Sequence, residues 1–388
     1  MNSLLQPLAA GFQMGVALRH AAYRRGWFKT RRLARPVISV GNLSVGGTGK
    51  TPLVALIATT LMKLGGRPGI LTRGYGRGGK DLVALLPQPN RVADPREVGD
   101  EPALLASALP EVPIVVCADR YRAGRLAEEK LNVTVHILDD GFQHLALARD
   151  LDIVVLDVTQ EIENGALLPA GRLREPVSAL QRANAVVISR TELGDPEPLA
   201  ARVTETNPQA KIFRSTTKLC GFREICSETQ KNCSDHVILS EAKDLAVRTA
   251  EQNEMLRFAQ HDNERVFQHP EGCETASRDD WRSKPVLAFC GLGNPRAFFA
   301  DLRRWGLTLA CEEVFPDHHV YTEAELNGLA KKARQAGAAA LITTEKDAMN
   351  FPAGGRPDLP VVACAVRVEV AECAEFELML RSQLKNDS

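Results

Sequence analysis

Residues 39–52 read SVGNLSVGGTGKTP, and this stretch decides the fold. It places a glycine-rich loop ending in Gly-Lys-Thr between an apolar run, PVISV, and a helical pattern, LVALIATTLMKLGG. A strand, a glycine loop and a helix in that order form the setting of a phosphate loop. The usual pattern begins with glycine where this chain has Ser44, but the Gly-Gly-x-Gly-Lys-Thr core supplies the tight turns by itself. The stretch therefore predicts a site for nucleotide phosphates.

The residues of this loop have separate expected roles. The backbone N–H groups expected to converge on phosphate oxygens are those of Gly46, Gly47, Thr48 and Gly49. Lys50 is expected to neutralise the β- and γ-phosphates, and the hydroxyl of Thr51 to bind Mg²⁺. The dipole of the following helix favours negative charge at the same place.

A second acidic element follows further along the chain. The run VTVHILDDGFQH, residues 133–144, is a buried-strand pattern that ends in Asp139 and Asp140. Sites of α/β proteins form at the carboxyl ends of strands, and a phosphate loop needs an acidic Mg²⁺ contact there. One carboxylate is expected to hold Mg²⁺, directly or through water, and the other to orient a substrate or a base. A strand-ending Asp can also simply cap a turn.

Alternation of β-rich runs with helical stretches sets the fold class. It predicts an α/β protein: a P-loop NTPase-type parallel sheet with helices on both faces, plus a smaller C-terminal α/β domain. Between the predicted P-loop domain and the C-terminal domain, the chain becomes polar and mixed in charge, which is typical of a flexible insertion. The predicted divisions are an N-terminal segment 1–35, a P-loop domain 36–222, an insertion 223–283 and a C-terminal domain 284–388.

Composition narrows the class of protein. Lys plus Arg and Asp plus Glu both number 48, so no global basic field favours nucleic acid as a partner. The nine cysteines include no Cys-x-x-Cys pair and indicate reduced thiols of a cytosolic chain. Cys and His residues of the insertion match no structural zinc spacing.

The N-terminal segment 1–35 combines an apolar helical pattern with a cationic, aromatic stretch. Such a combination suits the surface of an anionic membrane. The apolar part is too short to span a bilayer, and Pro7 interrupts it. Basic residues follow the apolar run rather than precede it, which argues against a cleaved signal peptide. A helix packed on the domain with a solvated basic end is the alternative.

Two functions fit the phosphate loop: a kinase, or a regulatory or metal-delivery NTPase. The Asn-Lys-x-Asp motif of GTPases and the His-rich tract of metal chaperones are both absent. A kinase needs a base for its acceptor, and Asp100 is a candidate, although Asp before Glu-Pro is also a good helix start. The stretch FPDHHVY adds a histidine beside Asp317 that can relay a proton.

Taken together, these stretches resemble the tetraacyldisaccharide 4′-kinase family of lipid A synthesis. The matching stretches are SVGNLSVGGTGKTP, LTRGYGR, VGDEPALLA, ILDDGFQH, LLPAGRLREP, FCGLGNPRAFF, FPDHHVY and TTEKDAMN. They cover nearly the whole chain outside the insertion, which departs from the family pattern. The resemblance implies a peripheral enzyme on the cytoplasmic face of the inner membrane, where Mg·ATP phosphorylates the 4′-hydroxyl of tetraacyldisaccharide 1-phosphate to give lipid IVA.

The resemblance also implies roles for individual residues. Asp100 and His318 are expected to work as a pair that accepts the proton of the sugar hydroxyl, and Lys50 to assist the transfer. Asp139 is the expected metal contact beside Thr51. The residues expected to line the acylated disaccharide phosphate are Tyr75, Asp140, Gln143, His144, Arg174 and Glu175.

Overall fold

The computed structural model describes residues 5–88, 93–160, 165–225, 237–238, 281–352, 354 and 357–384. Most of the predicted insertion 223–283 lies outside these residues. The strands are β1 Val37–Asn42, β2 Pro68–Thr72, β3 Val83–Leu85, β4 Ile114–Val116, β5 Val135–Asp139, β6 Leu151–Asp157, β7 Ala185–Ser189, β8 Lys211–Glu224, β9 Val237–Ile238, β10 Val286–Cys290, β11 Leu309–Val314, β12 Leu341–Thr344 and β13 Val361–Val370. The α-helices are α1 Gln6–Arg24, α2 Lys50–Lys63, α3 Pro95–Val98, α4 Asp100–Ala108, α5 Arg120–Lys130, α6 Glu197–Thr206, α7 Pro295–Arg304, α8 Glu323–Gln335, α9 Glu345–Met349 and α10 Cys373–Ser382, with a 3₁₀-helix at Val177–Arg182.

The described strands form one sheet in the order β11-β10-β12-β13-β8-β7-β6-β1-β5-β2-β4-β3-β9. Most neighbours are parallel, and the antiparallel pairs are β13 with β8, β3 with β4 and β3 with β9. The predicted α/β class is therefore confirmed, with the refinement that the sheet is mixed. Parallel strands need helical crossovers, which explains why the sequence alternates between short apolar runs and helical patterns.

Helices cover both faces of the sheet because successive strand residues point to opposite sides. In β1, Ile38 and Val40 pack in the apolar cluster that contains Leu53 of α2. Val37 faces the other way, in the cluster that contains Ala123 of α5. The C-terminal strands repeat this division, since β10 packs alternate residues against α7 and α8.

Strand β8 joins the C-terminal strands of the sheet to the strands around the phosphate loop. Its 14 residues pair in parallel with β7 and in antiparallel register with β13. The predicted boundary between the P-loop domain and the insertion, at residues 222 and 223, falls inside this strand. The division of the chain into domains stays a prediction, and β8 belongs to the hydrogen-bonded ladders of both halves.

Helix α1 lies on the outside of this structure. It begins at Gln6, so Pro7 occupies the first helical turn, where it does not interrupt the helix. Ala22 is its buried residue, whereas Leu8, Met14 and Leu18 are each more than 60% exposed. In the described parts of the chain, no helix has the length and apolar character needed to cross a membrane.

Candidate active site

The phosphate loop leaves the sheet at the end of its central strand. It connects β1 to α2, and Gly46 and Gly49 have φ angles of 118° and 84°, which side-chain-bearing residues rarely adopt. Thr48 is fixed from two sides: its Oγ1 accepts a hydrogen bond from Asn42 Nδ2 at 3.1 Å, and its carbonyl accepts one from Ser189 Oγ at 2.9 Å. These hydrogen bonds fix the loop at the N-terminus of α2, where backbone N–H groups and the helix dipole favour phosphate.

Ser44 takes the place of the expected first glycine for a structural reason. Its side chain is buried, and its Oγ donates to Gln160 Oε1 at 3.2 Å. Its backbone also forms an isolated bridge with Leu173. The serine therefore anchors the start of the loop to the segment that carries Arg172 and Arg174.

The two strand-ending carboxyls are adjacent in sequence but lie in different environments. Because β1 and β5 pair Val40 with Asp139, this residue leaves the sheet beside the phosphate loop. Asp139 is buried and accepts a hydrogen bond from Thr72 Oγ1 at 3.0 Å. Burial, reinforced by the charges of Glu101 and Asp140, raises the pKa of Asp139 to about 7. This carboxyl lacks a close cationic partner among the described contacts.

Asp140, by contrast, is paired with two cations. Its Oδ1 lies 3.6 Å from Lys50 Nζ, and its Oδ2 lies 2.8 Å from Arg174 Nη1. Burial opposes ionisation, but Lys50 and Arg174 outweigh it and lower the pKa of the Asp140 carboxyl. The site therefore holds one ionised acid on Lys50 and one acid that is ready for a further cation.

Asp100 and His318 meet although 218 positions separate them. Asp100 is the first residue of α4, and its Oδ1 accepts the Glu101 N–H at 2.9 Å. Its Oδ2 lies 2.7 Å from His318 Nδ1. This hydrogen bond raises the pKa of His318, and despite burial it lowers the pKa of Asp100. Both shifts favour an ionised carboxylate bonded to the ring.

The carboxyl–imidazole pair has two further neighbours that the sequence did not single out. Lys346 Nζ lies 3.4 Å from His318 Nε2, and Asn350 Nδ2 lies 3.4 Å from Asp100 Oδ2. Both belong to TTEKDAMN, a stretch that the resemblance included without a role. A lysine in a short polar helix carries no signal of its own, so only folding reveals this contact.

Arg172 and Asn294 were also missed: Arg172 connects the phosphate loop to the loop after β10, and Asn294 connects the loop after β10 to the end of β6. Arg172 Nη2 donates to the carbonyls of Val45 at 3.0 Å and of Gly293 at 2.7 Å. Neither Gly293 nor Gly46 has room for a side chain, because Gly293 packs on the backbone of Gly46 and Arg172 Nη2 also packs on Gly46. Asn294 Nδ2 donates to Asp157 Oδ2 at 3.1 Å. The loop after β10 is thereby fixed directly against the phosphate loop.

A half-buried arginine, Arg190, completes this junction. Arg190 Nη1 lies 2.6 Å from Asp157 Oδ2 and donates to the Gly47 carbonyl at 3.2 Å. The phosphate loop is therefore held by side chains from β7 and by the Asp157 carboxylate at the end of β6. No motif in the sequence indicated these contacts, because their members come from separate strand ends.

Two of the predicted substrate-lining residues, Tyr75 and Arg174, lie near the groups expected to react. Tyr75 is 67% exposed, and its ring centroid lies 5.5 Å from that of His318. Arg174 is held against Asp140 as described above. Tyr75 therefore lies beside the Asp100–His318 pair, and Arg174 lies beside the phosphate loop.

The remaining predicted residues lie near α1. Gln143 Nε2 donates to the Asn42 carbonyl at 2.9 Å, and Arg19 of α1 donates to the Gln143 carbonyl at 2.9 Å. Burial and the charges of Arg120 and Arg149 lower the pKa of His144 to about 4, so its imidazole is neutral near pH 7. Residues 143 and 144 thus lie between the loop and the N-terminal helix.

Glu175 is buried, and its carboxylate is bound within the protein. Its Oε2 accepts from Arg182 Nη2 at 2.6 Å, and its Oε1 lies 3.3 Å from His20 Nε2 of α1. Burial opposes ionisation, but these partners lower the pKa of the Glu175 carboxyl. The residue fastens α1 beside the site, a contact that its sequence neighbourhood did not predict.

Comparison with known proteins gives a consistent family. The profile described as tetraacyldisaccharide-1-P 4′-kinase matches residues 1–385. A tetraacyldisaccharide 4′-kinase of Geobacter metallireducens is 39% identical, over 90% of this chain and 88% of the relative. One of Pelobacter propionicus is 35% identical, over 98% of this chain and 88% of the relative.

A solved structure gives the same result. A crystal structure of LpxK from Aquifex aeolicus in complex with ATP superimposes with a TM-score of 0.69 at 30% identity. It covers 98% of this chain and 99% of that protein, so the likeness includes both the phosphate loop and the C-terminal strands.

Proposed function

This chain belongs to the tetraacyldisaccharide-1-P 4′-kinase family, and on that premise we propose how its residues perform the reaction. As a member it is a kinase of lipid A biosynthesis, which phosphorylates the 4′-hydroxyl of tetraacyldisaccharide 1-phosphate to give lipid IVA. The alternative, an NTPase without a lipid acceptor, is not favoured because the match extends over residues 1–385. The observation that carries the assignment of roles is the Asp100–His318 pair, which stands beside a phosphate loop.

The donor side binds ATP through the loop between β1 and α2. The backbone N–H groups of Gly46, Gly47, Thr48 and Gly49 surround the phosphates. Lys50 neutralises charge that develops on the β- and γ-phosphates, and its 3.6 Å separation from Asp140 keeps the ammonium near the loop mouth. ATP in the Aquifex aeolicus relative supports this choice of nucleotide.

Thr51 and Asp139 would hold Mg²⁺. The fit rests on Asp139, whose buried carboxyl lies near two other acids and bonds only to the Thr72 hydroxyl among the described contacts. Mg²⁺ usually keeps several waters and takes one or two protein carboxylates together with substrate phosphates, which fits one threonine hydroxyl and one carboxyl beside the phosphate loop. When bound, Mg²⁺ neutralises phosphate charge and orients the β- and γ-phosphates.

The acceptor side removes the proton of the sugar hydroxyl. As the bond from O4′ to the γ-phosphorus forms, the bond from that phosphorus to the β,γ-bridging oxygen breaks, and ADP leaves. The hydroxyl proton passes to the Asp100–His318 pair, whose 2.7 Å hydrogen bond allows the two groups to share the charge. Tyr75 is exposed and lies beside the His318 ring, where the sugar would approach the pair.

The disaccharide lies between this pair and α1. Arg174 and Asp140 flank the phosphate loop, and Gln143 and His144 face the N-terminal helix. Glu175 contributes by fixing α1 through His20. Acyl chains would follow the apolar exposed side of α1, which we place on the cytoplasmic face of the inner membrane. Exposed leucines beside Arg19, Arg24 and Arg25 suit an anionic lipid surface.

The test is transfer of labelled γ-phosphate from ATP to tetraacyldisaccharide 1-phosphate in mixed micelles. We expect the wild-type protein to label the lipid and Asp100→Ala to lose that labelling while it still binds ATP. Parallel reactions without lipid measure nucleotide hydrolysis. ATP hydrolysis with no lipid labelling by the wild-type protein would contradict the kinase assignment and favour the NTPase.

A further inference from the structure

The stretch TTEKDAMN, residues 343–350, ends β12 and forms α9, and it lies against the acceptor side of the site. We propose that Lys346 is a positioning residue for the Asp100–His318 pair, because its ammonium fixes the His318 tautomer and the Asp100 carboxylate. This inference rests on the proposed function, in which that pair accepts the hydroxyl proton. Lys346 comes from α9, whereas Tyr75, which also lies beside the ring, comes from the loop after β2.

Helix α9 presents its side chains in a fixed direction. Its N-cap is Thr344, whose Oγ1 accepts the Asp347 N–H at 3.1 Å. Lys346 and Asn350 are four positions apart, which places them on one side of a helical turn. Both reach the same carboxylate oxygen, since Asp100 Oδ2 lies 4.0 Å from Lys346 Nζ and 3.4 Å from Asn350 Nδ2.

Asp347 anchors this helix to the loop that carries His318. Its buried carboxylate accepts the Gly291 N–H at 2.7 Å and the Tyr321 hydroxyl at 2.9 Å. The Gly291 carbonyl in turn accepts a hydrogen bond from the backbone N–H of His318 at 3.3 Å. Lys346 and His318 are thus attached to one buried acid, which maintains their separation.

The hydrogen bonds define which ring nitrogen carries the proton. An ionised carboxylate only accepts hydrogen bonds, so Nδ1 of His318 must donate to Asp100 Oδ2 at 2.7 Å. An ammonium only donates, so Nε2 must offer its lone pair to Lys346 Nζ at 3.4 Å. The neutral Nδ1–H tautomer satisfies both contacts, whereas an imidazolium would direct a second N–H at the ammonium.

The surrounding charges are mostly acidic, and Lys346 balances them. Asp100 and Glu101 come from α4, Asp317 from the loop after β11, and Asp347 from α9; the Tyr75 phenol also lies near the ring. Lys346 Nζ lies 3.2 Å from Asp317 Oδ1 and 3.9 Å from Glu101 Oε1, and its side chain is 17% exposed. Despite burial, these acids raise the pKa of Lys346, which therefore stays charged.

Removal of the Lys346 charge is expected to raise the pKa of both His318 and Asp100. The Asp100 hydrogen bond raises the pKa of His318, and Lys346 acts in the opposite direction. Lys346 also helps to lower the pKa of Asp100. Without the ammonium both groups bind a proton more readily, so the pair becomes protonated, and inactive as an acceptor, at a higher pH than in the wild type.

The experiment compares Lys346→Met, Lys346→Arg and the control Lys331→Met, which removes an exposed lysine of α8. Transfer to the lipid is measured across pH, and the ring nitrogens of His318 are followed by ¹⁵N NMR. For Lys346→Met we expect kcat to fall about 10- to 100-fold, an unchanged KM for ATP, and an acidic limb of the rate profile at higher pH. Lys346→Arg should keep the limb near its wild-type position, and Lys331→Met should match the wild type.

Wild-type kcat and an unmoved limb in Lys346→Met would overturn the proposal. So would a proton on Nε2 of His318 in the wild-type protein near pH 7. The NMR measurement needs no turnover, which separates this inference from the proposed function: absent lipid phosphorylation refutes the latter, and the His318 tautomer still decides the former. If Lys346→Met fails to fold, Lys346→Gln, which also removes the charge, replaces it, and an acidic limb equal to that of Lys346→Arg would overturn the proposal.

Discussion

The donor and acceptor sides of this site are built in opposite ways. The donor side, the phosphate loop with the start of α2, is one continuous stretch whose turns depend on its own glycines, while side chains at the end of β7 hold it in place. The acceptor side is Asp100, His318 and Lys346, which three separate elements contribute. The first side is encoded locally, and the second exists only after the C-terminal strands have joined the sheet.

This difference predicts different mutational behaviour. A locally encoded loop has one residue for each task, so that loss of its cation removes a task that nothing else performs. The residues of a hydrogen-bonded group act as one unit, so replacing a second member costs little activity beyond the loss caused by the first. Variants of the donor and acceptor sides test this difference, and we expect the largest loss of kcat on the donor side.

Lys50→Met removes the cation of the phosphate loop. We expect kcat to fall by about 10³-fold or more, because charge on the transferring phosphoryl group loses its nearest protein cation. Lipid phosphorylation is measured beside Lys63→Met, which removes the exposed lysine at the other end of the same helix. Turnover equal to wild type in Lys50→Met would show that the loop does not bind the reacting phosphates.

A double-mutant cycle tests whether the acceptor side acts as a unit. Asp100→Asn and His318→Gln should each lower kcat by about 10²- to 10³-fold, and the double variant should lose little more than either one. His319→Gln is the matched control, since the neighbouring imidazole instead stacks on Phe315 and bonds Glu325. Multiplicative losses in the double variant would mean that Asp100 and His318 contribute separately.

The same contrast explains what the sequence could predict. Strand alternation and the glycine loop gave the α/β class, because both signals are local in sequence. The Asp100–His318 pairing came from family resemblance, since no spacing rule joins positions 218 apart. Lys346, Asn350 and Arg172 were missed because an isolated lysine, asparagine or arginine looks like an ordinary surface residue.

Side-chain direction was the other limit. Glu175 was expected to face the substrate, yet its carboxylate is buried between Arg182 and His20. A loop residue has no periodicity that tells which way it points, so the pattern GRLREP names candidates without orienting them. All six substrate-lining assignments remain predictions, and so do the domain divisions; the six residues are Tyr75, Asp140, Gln143, His144, Arg174 and Glu175.

Substitutions on helix α1 should have a smaller effect, which falls on the lipid substrate and not on ATP. The double change Leu8→Asp with Leu18→Asp should weaken sedimentation with anionic vesicles by about 10- to 100-fold, because two exposed leucines no longer enter the lipid. The apparent KM for the lipid should rise while the KM for ATP stays constant. Leu378→Asp, an equally exposed leucine on α10, is the control. Unchanged vesicle binding would contradict the membrane-facing role of α1.

The smallest effect is expected where the donor side meets the loop after β10. Arg172 donates to carbonyls of Val45 and Gly293, so Arg172→Met removes hydrogen bonds that fix the phosphate loop without touching its amides or Lys50. We expect the KM for ATP to rise about 3- to 10-fold, the size of one or two lost hydrogen bonds, with kcat changed less. Arg296→Met, on the exposed side of α7, should behave as wild type. A fall in kcat comparable with that of Asp100→Asn would instead place Arg172 on the acceptor side, because it would mean that the Gly293 loop orients His318 rather than ATP. Lys50 would then be the one donor-side residue among these variants that acts independently of the acceptor side.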